Sequence, residues 1–163
     1  SMNKVVFLDR DGVINREIDD YVYSLKNFEF NLGLEKALKR WSKLGYSFAI
    51  VTNQGGVSKS LYTSKEVNII NDYLRNWFIE RSLNLLTILY CPHHNNIESC
   101  ICRKPDSLML EKIIARYKVS VEDSFMIGDS ERDIHAAQKI GLKSVRIKAN
   151  SNLNDLNLFN GKY

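Results

Sequence analysis

Short apolar segments alternate along this chain with longer segments in which apolar residues recur at helical spacing. Each short segment is predicted to be a buried strand. Strands that alternate with helices predict βαβ units, and hence a parallel sheet covered by helices on both faces. The predicted fold class is therefore α/β, a Rossmann-like three-layer α/β/α arrangement around a central parallel sheet. The predicted strands are residues 5–8, 48–51, 85–90, 125–127 and 144–147, and the predicted helices are residues 34–44, 63–81, 108–117 and 133–140.

The length of 163 residues fits a single domain, which we assign to residues 1–163. No apolar run reaches the roughly 18 residues that a membrane span needs, and no dense Lys/Arg stripe indicates a nucleic-acid partner. The net charge of +4 suits an anionic substrate. Three cysteines, an odd number, argue against a disulfide framework, so we expect a cytoplasmic protein. We also expect a monomer, with an Asn-rich tail from Asn150 that packs loosely.

Acidic residues directly follow two of the predicted strands. Parallel sheets bind ligands at the carboxyl ends of their strands, so these residues are expected at the binding edge. Asp9 and Asp11 follow the first strand, with Gly12 allowing a sharp turn, and Asp129 and Asp133 follow the fourth. Carboxylates grouped in this way suit a divalent metal and general acid/base work. The alternative is that they only cap turns, or, for Asp133, the next helix.

The second predicted strand is followed by Thr52, Asn53 and Gln54. One hydroxyl and two side-chain amides at a strand end could hydrogen-bond a phosphate group. Ordinary loop polarity is the alternative for these three residues.

All three cysteines lie within twelve positions of the chain, in the pattern C-x-H-x6-C-x-C. The four side chains of this pattern, Cys91, His93, Cys100 and Cys102, suit tetrahedral zinc. Four protein ligands leave no open position, so the zinc is expected to be structural. A disulfide is disfavoured, because Cys100 and Cys102 are too close in sequence and one thiol would remain. Three unrelated buried cysteines are the other alternative, and His94 is a rival to His93.

Four ordered motifs resemble those of the haloacid dehalogenase superfamily. They are Asp9-x-Asp11-Gly12 after one strand, Thr52 after another, Lys104 further on, and Gly128-Asp129 with Asp133 after a third. Each motif alone is weak, but their order and strand context are specific. The resemblance covers residues 4–147. The segments inserted after Asp11 and after Thr52 are short, so there is little room for a large cap domain.

The resemblance implies a magnesium-dependent phosphatase. Asp9 would be the nucleophile that forms an aspartyl-phosphate, and Asp11 the general acid and base. Thr52 and Lys104 would hold the phosphoryl oxygens. Mg²⁺ would be bound by Asp9, by the backbone carbonyl of Asp11 and by Asp129, with Asp133 supporting these ligands. This agrees with chemistry, because a carboxylate attacks a phosphate dianion only where cations neutralise the charge.

The zinc loop, residues 91–102, is followed by Arg103-Lys104-Pro105 and resembles that of the heptose 1,7-bisphosphate phosphatases and of the related histidinol-phosphate phosphatases. In the first group the C7 phosphate is removed. The resemblance implies that substrate is contacted by Asn15, Tyr21, Asn53, Gln54 and Arg103.

Residues 27–30 and 53–57 favour the heptose group. The short His93-to-Cys100 spacing and Ser130, found where many heptose enzymes have Lys, favour the histidinol-phosphate group or another sugar phosphate. A heptose product could feed lipopolysaccharide, a capsule or a surface-layer glycan. A zinc-stabilised binding module without catalysis is the alternative of a different class.

Overall fold

A computed structural model describes residues 1–97 and 99–158 of the chain. Its parallel strands form one sheet in the order β3-β2-β1-β4-β5. The strands are β1 Lys4–Leu8, β2 Tyr46–Asn53, β3 Leu85–Cys91, β4 Phe125–Gly128 and β5 Lys143–Arg146. The helices are α1 Leu34–Lys43, α2 Ser64–Glu80, α3 Leu108–Tyr117 and α4 Glu131–Gln138, with short 3₁₀ helices at Leu25–Asn27 and Leu153–Asp155.

Every predicted strand and helix is confirmed, with differences of one or two residues at several ends, among them those of β2, β5 and α4. This helix begins at Glu131 because Ser130, rather than Asp133, is its N-cap residue. The Ser130 hydroxyl accepts a hydrogen bond from the backbone N–H of Arg132, and the Asp133 carboxylate accepts one from the backbone N–H of Ser130. Asp133 is thus the third residue of a capping box. Of its two oxygens, Oδ2 caps the helix and Oδ1 stays available for other partners.

Side chains of β1 alternate between two apolar layers. Val6 and Leu8 pack on the face covered by α1 and α2, with residues such as Trp41 and Leu74. Val5 and Phe7 pack on the opposite face, covered by α3 and α4. Successive strand residues point to opposite faces, so a strand that is apolar on both faces must lie inside a three-layer fold. The predicted fold class is therefore confirmed.

The order of the strands brings together the loops that follow β1, β2 and β4. The chain passes from β1 to β2 and β3 on one side, then crosses to β4 and β5 on the other side of β1. The order therefore reverses beside β1, and ligands bind to open α/β sheets at such a switch point. Asp9 follows β1, Thr52 lies at the end of β2, and Asp129 follows β4. All three residues consequently lie at the same edge of the sheet.

The loop between β1 and α1 contains only isolated bridges and a short 3₁₀ helix. Its bridges join Asp11 to Asn15 and Asn15 to Phe30. Among the described residues, neither this loop nor the segment between β2 and α2 forms a domain of its own, as the capless fold predicts. No helix in the described part of the chain is long and apolar enough to cross a membrane.

The expectation of a loosely packed tail is wrong as far as Leu158. Leu153 and Leu158 are buried in the core layer with α1 and α2. Asn150 accepts a hydrogen bond from the Glu17 backbone N–H (2.7 Å) and donates one to the Glu17 carbonyl (2.9 Å). The side chains of Asn150 and Asn152 thus bind backbone groups, and composition alone does not distinguish that use from disorder. Residues 159–163 lie outside the described part of the tail.

We predict that Leu153→Ala lowers the free energy of unfolding by about 2–5 kcal/mol, because it leaves a cavity in the core. Leu32→Ala is the matched control, since Leu32 is 63% exposed, and it should change stability by less than about 0.5 kcal/mol. Urea unfolding monitored by circular dichroism measures both. An equally small loss in both variants would mean that the tail adds nothing to the core.

Candidate active site

A buried ammonium group joins the parts of the site. The Nζ atom of Lys104 donates hydrogen bonds to Asp9 Oδ1 (2.9 Å), Asp133 Oδ1 (2.5 Å) and the carbonyl oxygen of Val51 (2.9 Å). Lys104 is 2% exposed. A lysine is tolerated at such a depth only when its three N–H groups all have acceptors, as they do here. Lys104 therefore connects the ends of β1 and β2 with the start of α4.

Asn53 fixes the backbone of Lys104 from both sides. Its Oδ1 atom accepts a hydrogen bond from the Lys104 N–H (2.9 Å), and its Nδ2 atom donates one to the Lys104 carbonyl (3.1 Å). This paired contact joins the end of β2 to the loop that carries Lys104. Asn53 also lines the cleft described below, so its contact with Lys104 does not remove it from the reach of a substrate.

The carboxylates of Asp9, Asp129 and Asp133 lie together, with ligand oxygens within 4.8 Å of one another. Burial raises the pKa of Asp9 well above its usual value, and the neighbouring Asp133 and Asp129 add to this, while Lys104 opposes it. Burial likewise raises the pKa of Asp129. Burial alone would lower the pKa of Lys104, but Asp9 and Asp133 together raise it.

This excess of negative charge fits a divalent cation. One ammonium faces three carboxylates, and oxygen ligands are those that Mg²⁺ prefers. Gly12 adopts φ +92°, and a Cβ atom there would lie within van der Waals overlap of the Asp129 carboxylate. The turn after β1 therefore passes close to this carboxylate only because residue 12 is glycine. Asp9 and Asp129, whose carboxylates the sequence assigned to magnesium, therefore lie together.

Asp11 is held by three neighbouring side chains. Its Oδ1 atom accepts hydrogen bonds from Arg10 Nη2 (3.0 Å) and Asn15 Nδ2 (2.9 Å). Its Oδ2 atom accepts one from Gln54 Nε2 (3.1 Å), and the same amide donates to Thr52 Oγ1 (2.9 Å). Both oxygens of the Asp11 carboxylate thus have hydrogen-bond donors, and these contacts fix the orientation of Asp11 on the lining of the cleft.

Asn15 and Tyr21, both predicted to contact substrate, lie in different places. Asn15 is fully buried beside Asp11 and is not among the residues that line the cleft. Its described position is that of a support for Asp11. Tyr21 does line the cleft, next to Asp20 and Val22. Of these two residues, only Tyr21 is placed where a bound molecule would meet it.

The site opens into a cleft of about 550 Å³ with walls of opposite charge. One wall carries Arg103 and Arg132, and the first loop supplies Glu17, Asp19 and Asp20. Burial lowers the pKa of Arg103, and the positive charge of Arg132 lowers it further. The two guanidinium groups therefore repel each other. The cleft is also lined by Asp9, Asp11, Thr52, Asn53, Gln54, Gly55, His94, Lys104, Asp129, Ser130 and Asp133.

Arg10, Arg132 and Tyr62 are among the residues of the site that were missed in the sequence, as are the acidic residues Glu17, Asp19 and Asp20. Arg10, 1% exposed, pairs with Asp11, and its position between two functional acids was a signal for it. Arg132 lies in the first turn of a helix that begins beside Asp129, so its placement follows from the capping box. Tyr62 donates a hydrogen bond to Gln54 Oε1 (2.6 Å) across eight positions. No local pattern indicates that contact.

The ligand atoms of Cys91, His93, Cys100 and Cys102 all lie within 4.8 Å of one another. In this structure Cys91 and Cys102 form a disulfide, and Cys100 is a free thiol whose Sγ atom is 3.6 Å from that of Cys91. Three sulfurs and one imidazole at this separation are the donor set of a structural zinc site, which needs the cysteines reduced. His94 lines the cleft instead.

The cysteine cluster is joined to the active site by Arg103. The Nη1 atom of Arg103 donates a hydrogen bond to the His93 carbonyl (3.0 Å), and Arg103 directly follows Cys102. Lys104 is the next residue. The conformation of the cysteine cluster therefore influences where the side chains of Arg103 and Lys104 lie.

We predict that protein purified under reducing conditions contains stoichiometric zinc, measured by elemental analysis. Cys100→Ser removes one of four ligands and should lower zinc content severalfold, while Ser99→Ala, the adjacent control, should keep it. Chelation of zinc should lower phosphatase activity by loosening the loop before Lys104. Reduced wild-type protein without zinc, or unchanged zinc in Cys100→Ser, would contradict the assignment.

Comparisons with known proteins agree with this geometry. A family model described as HAD-hydrolase-like matches residues 101–157. The chain is 36% identical over 145 residues to the D-glycero-alpha-D-manno-heptose-1,7-bisphosphate 7-phosphatase of Photorhabdus laumondii, covering 85% of this chain and 79% of that protein. It is 38% identical over 143 residues to the D-glycero-beta-D-manno-heptose-1,7-bisphosphate 7-phosphatase of Helicobacter pylori, covering 87% and 82%.

A solved structure extends the likeness to three dimensions. The D,D-heptose 1,7-bisphosphate phosphatase of B. bronchiseptica, crystallised with magnesium and phosphate, superposes with a TM-score of 0.82 at 30% identity, covering 93% of this chain and 84% of that one. Fold, site and relatives agree, and the chain belongs to the haloacid dehalogenase superfamily, in the family of the D-glycero-D-manno-heptose-1,7-bisphosphate 7-phosphatases.

Proposed function

We propose that this chain is a Mg²⁺-dependent phosphatase that removes the C7 phosphate of D-glycero-D-manno-heptose 1,7-bisphosphate through an aspartyl-phosphate on Asp9. The observation that carries the proposal is the buried contact of Asp9 with Lys104, beside Asp129 and Asp133, at the base of an open cleft. The activity named for the Photorhabdus and Helicobacter relatives supports the choice of substrate.

In the first step a carboxylate oxygen of Asp9 attacks phosphorus, and the bond between phosphorus and the C7 oxygen breaks. Asp11 gives its proton to the leaving alkoxide, which is otherwise too basic to depart. Lys104 and Thr52 hold the phosphoryl oxygens during this transfer. A covalent intermediate divides one difficult hydrolysis into two displacements.

In the second step Asp11 takes a proton from water, whose oxygen attacks the phosphorus of the aspartyl-phosphate. Inorganic phosphate leaves, and Asp9 returns as a carboxylate. Asp9, Asp129 and the backbone carbonyl of Asp11 would hold Mg²⁺, which supplies neutralising charge for the phosphoryl group when bound. The open cleft gives water access without movement of a cap.

The basic wall of the cleft suits a second phosphate. The Nε atom of Arg103 is buried without a hydrogen-bond partner among the described residues, and Arg132, which lines the same cleft, lowers the pKa of Arg103. Two guanidinium groups that repel each other are stabilised by an anion between them. We propose that Arg103 and Arg132 bind the phosphate that is not cleaved. Arg132 would then supply the charge that Lys supplies in relatives at the position of Ser130, whose hydroxyl caps α4.

The acidic part of the first loop suits the sugar. Glu17, Asp19 and Asp20 present carboxylate groups on the lining of the cleft, and such groups accept hydrogen bonds from hydroxyls. We propose that these residues and Tyr21 contact the heptose. We further propose that the chain acts as a monomer in the cytoplasm, where reducing conditions keep the thiols available for zinc.

We predict that wild-type protein hydrolyses heptose 1,7-bisphosphate with a higher kcat/KM than histidinol phosphate, and only when Mg²⁺ is present. Asp9→Asn should lower turnover about a thousandfold or more, because an amide is not a competent nucleophile. Asp72→Asn is the control and should keep wild-type turnover, because Asp72 is a surface residue on α2 that pairs with Arg75. The measurement is the rate of phosphate release from both anomers of heptose 1,7-bisphosphate and from histidinol phosphate. Faster hydrolysis of histidinol phosphate would overturn the choice of heptose.

We predict that Arg132→Ala lowers kcat/KM for the bisphosphate about tenfold, which corresponds to the loss of about one charge-assisted hydrogen bond. Its effect on 4-nitrophenyl phosphate should be much smaller, since that substrate has a single phosphate. Arg75→Ala on α2 is the matched control, and it should affect neither substrate. An equal loss on both substrates would show that Arg132 acts on the reacting phosphate or on folding.

A further inference from the structure

The two oxygens of Asp11 are in unequal surroundings. Oδ1 accepts hydrogen bonds from Arg10 Nη2 (3.0 Å), Arg10 Nε (3.3 Å) and Asn15 Nδ2 (2.9 Å). Among the described residues, Oδ2 accepts one hydrogen bond, from Gln54 Nε2 (3.1 Å). A carboxylate oxygen has two lone pairs, so Oδ1 is saturated and Oδ2 retains a free one. Oδ2 is therefore the oxygen on which Asp11 can carry a proton to a leaving group.

The Gln54 amide has one orientation that satisfies all its neighbours. Both N–H groups of Nε2 have acceptors, Asp11 Oδ2 and Thr52 Oγ1 (2.9 Å). Its Oε1 atom accepts the hydroxyl hydrogen of Tyr62 (2.6 Å). If the amide turned over, its carbonyl oxygen would face the Asp11 carboxylate and repel it. The hydroxyl of Tyr62 opposes that rotation because it requires an acceptor in its own direction.

Tyr62 is itself held firmly. It is 4% exposed and stacks on Tyr23, with ring centroids 5.2 Å apart and an interplanar angle of 9°, and it also contacts Tyr21 at 5.7 Å. Its ring occupies the space left by the missing side chain of Gly56, where a Cβ atom would overlap the ring. Burial raises the pKa of Tyr62, so the hydroxyl remains a donor at physiological pH.

We propose that Tyr62 is a positioning residue for proton transfer: through the amide of Gln54 it aims Oδ2 of Asp11 at the leaving-group oxygen. This inference rests on the proposed function. In the step concerned, the bond from phosphorus to the leaving oxygen breaks while the proton on Oδ2 moves to that oxygen. Tyr62 contacts neither substrate nor Asp11, so its effect reaches the reaction only through Gln54.

If Tyr62 positions Asp11 for proton transfer, the loss of kcat without its hydroxyl should depend on the basicity of the leaving group. Phenyl phosphate releases a basic phenolate that benefits from a proton, whereas 4-nitrophenyl phosphate releases a stable anion that needs none. The two esters have the same aryl phosphate framework and no sugar. They therefore test proton transfer without depending on the choice of heptose as substrate.

The experiment compares kcat and KM of Tyr62→Phe and wild type on these two esters. The variant keeps the stacked ring and loses only the hydroxyl. We expect kcat to fall about tenfold on phenyl phosphate and less than about twofold on 4-nitrophenyl phosphate, with KM unchanged on both. Tyr23→Phe, which removes a hydroxyl from the neighbouring stacked ring, is the matched control and should match wild type.

A second variant tests the route through Gln54. Gln54→Leu also removes the contact with Thr52 Oγ1, so it should lower kcat on both esters and at least as much as Tyr62→Phe on phenyl phosphate. The double variant Tyr62→Phe/Gln54→Leu should lose no more than Gln54→Leu alone. Equal losses on both esters in Tyr62→Phe, or a further loss in the double variant, would overturn the inference. Wild-type protein that releases phosphate neither from these esters nor from heptose 1,7-bisphosphate would overturn the proposed function, and the inference with it.

Discussion

The buried ammonium of Lys104 is the interaction on which the site depends. It contacts Asp9 after β1, the Val51 carbonyl in β2 and Asp133 in α4, so it joins segments that are far apart in the sequence. Removing a charge from water is costly, and an isolated charge at this depth would not be tolerated. Here the carboxylates of Asp9 and Asp133 and the Val51 carbonyl compensate for the loss of water around the Lys104 ammonium, and the ammonium does the same for the two carboxylates. The ion pairs therefore hold the Asp9 carboxylate in one position.

The same arrangement explains why the carboxylates are poised for an anionic ligand with its cation. Burial raises the pKa of Asp9 and that of Asp129, and the negative charge of Asp133 raises both further. Groups fixed in this way do not need to reorganise as charge develops in a reaction. Further from Asp9, Arg103 and Arg132 extend positive charge along one wall of the cleft.

The sequence was sufficient for the fold and for the strand ends that form the site, because apolar periodicity and capping signals are local. It was insufficient for contacts that join distant residues. Asn53, predicted to bind substrate, also holds the backbone of Lys104 across 51 positions. Asn15 supports Asp11 from a fully buried position, and Tyr62 acts on Gln54. Side-chain pairing of this kind depends on the folded loop, which no spacing rule describes.

The contact between Asn150 and Glu17 has a consequence for how specificity can change. Its amide holds both backbone groups of a residue 133 positions away, in the loop that carries the acidic lining of the cleft. Asn150 thus supports the loop that carries the acidic lining of the cleft. Substitutions around Asn150 can change the position of that loop while Asp9 and Lys104 stay as they are. A new preference among sugar phosphates can in this way arise without any change in the chemistry.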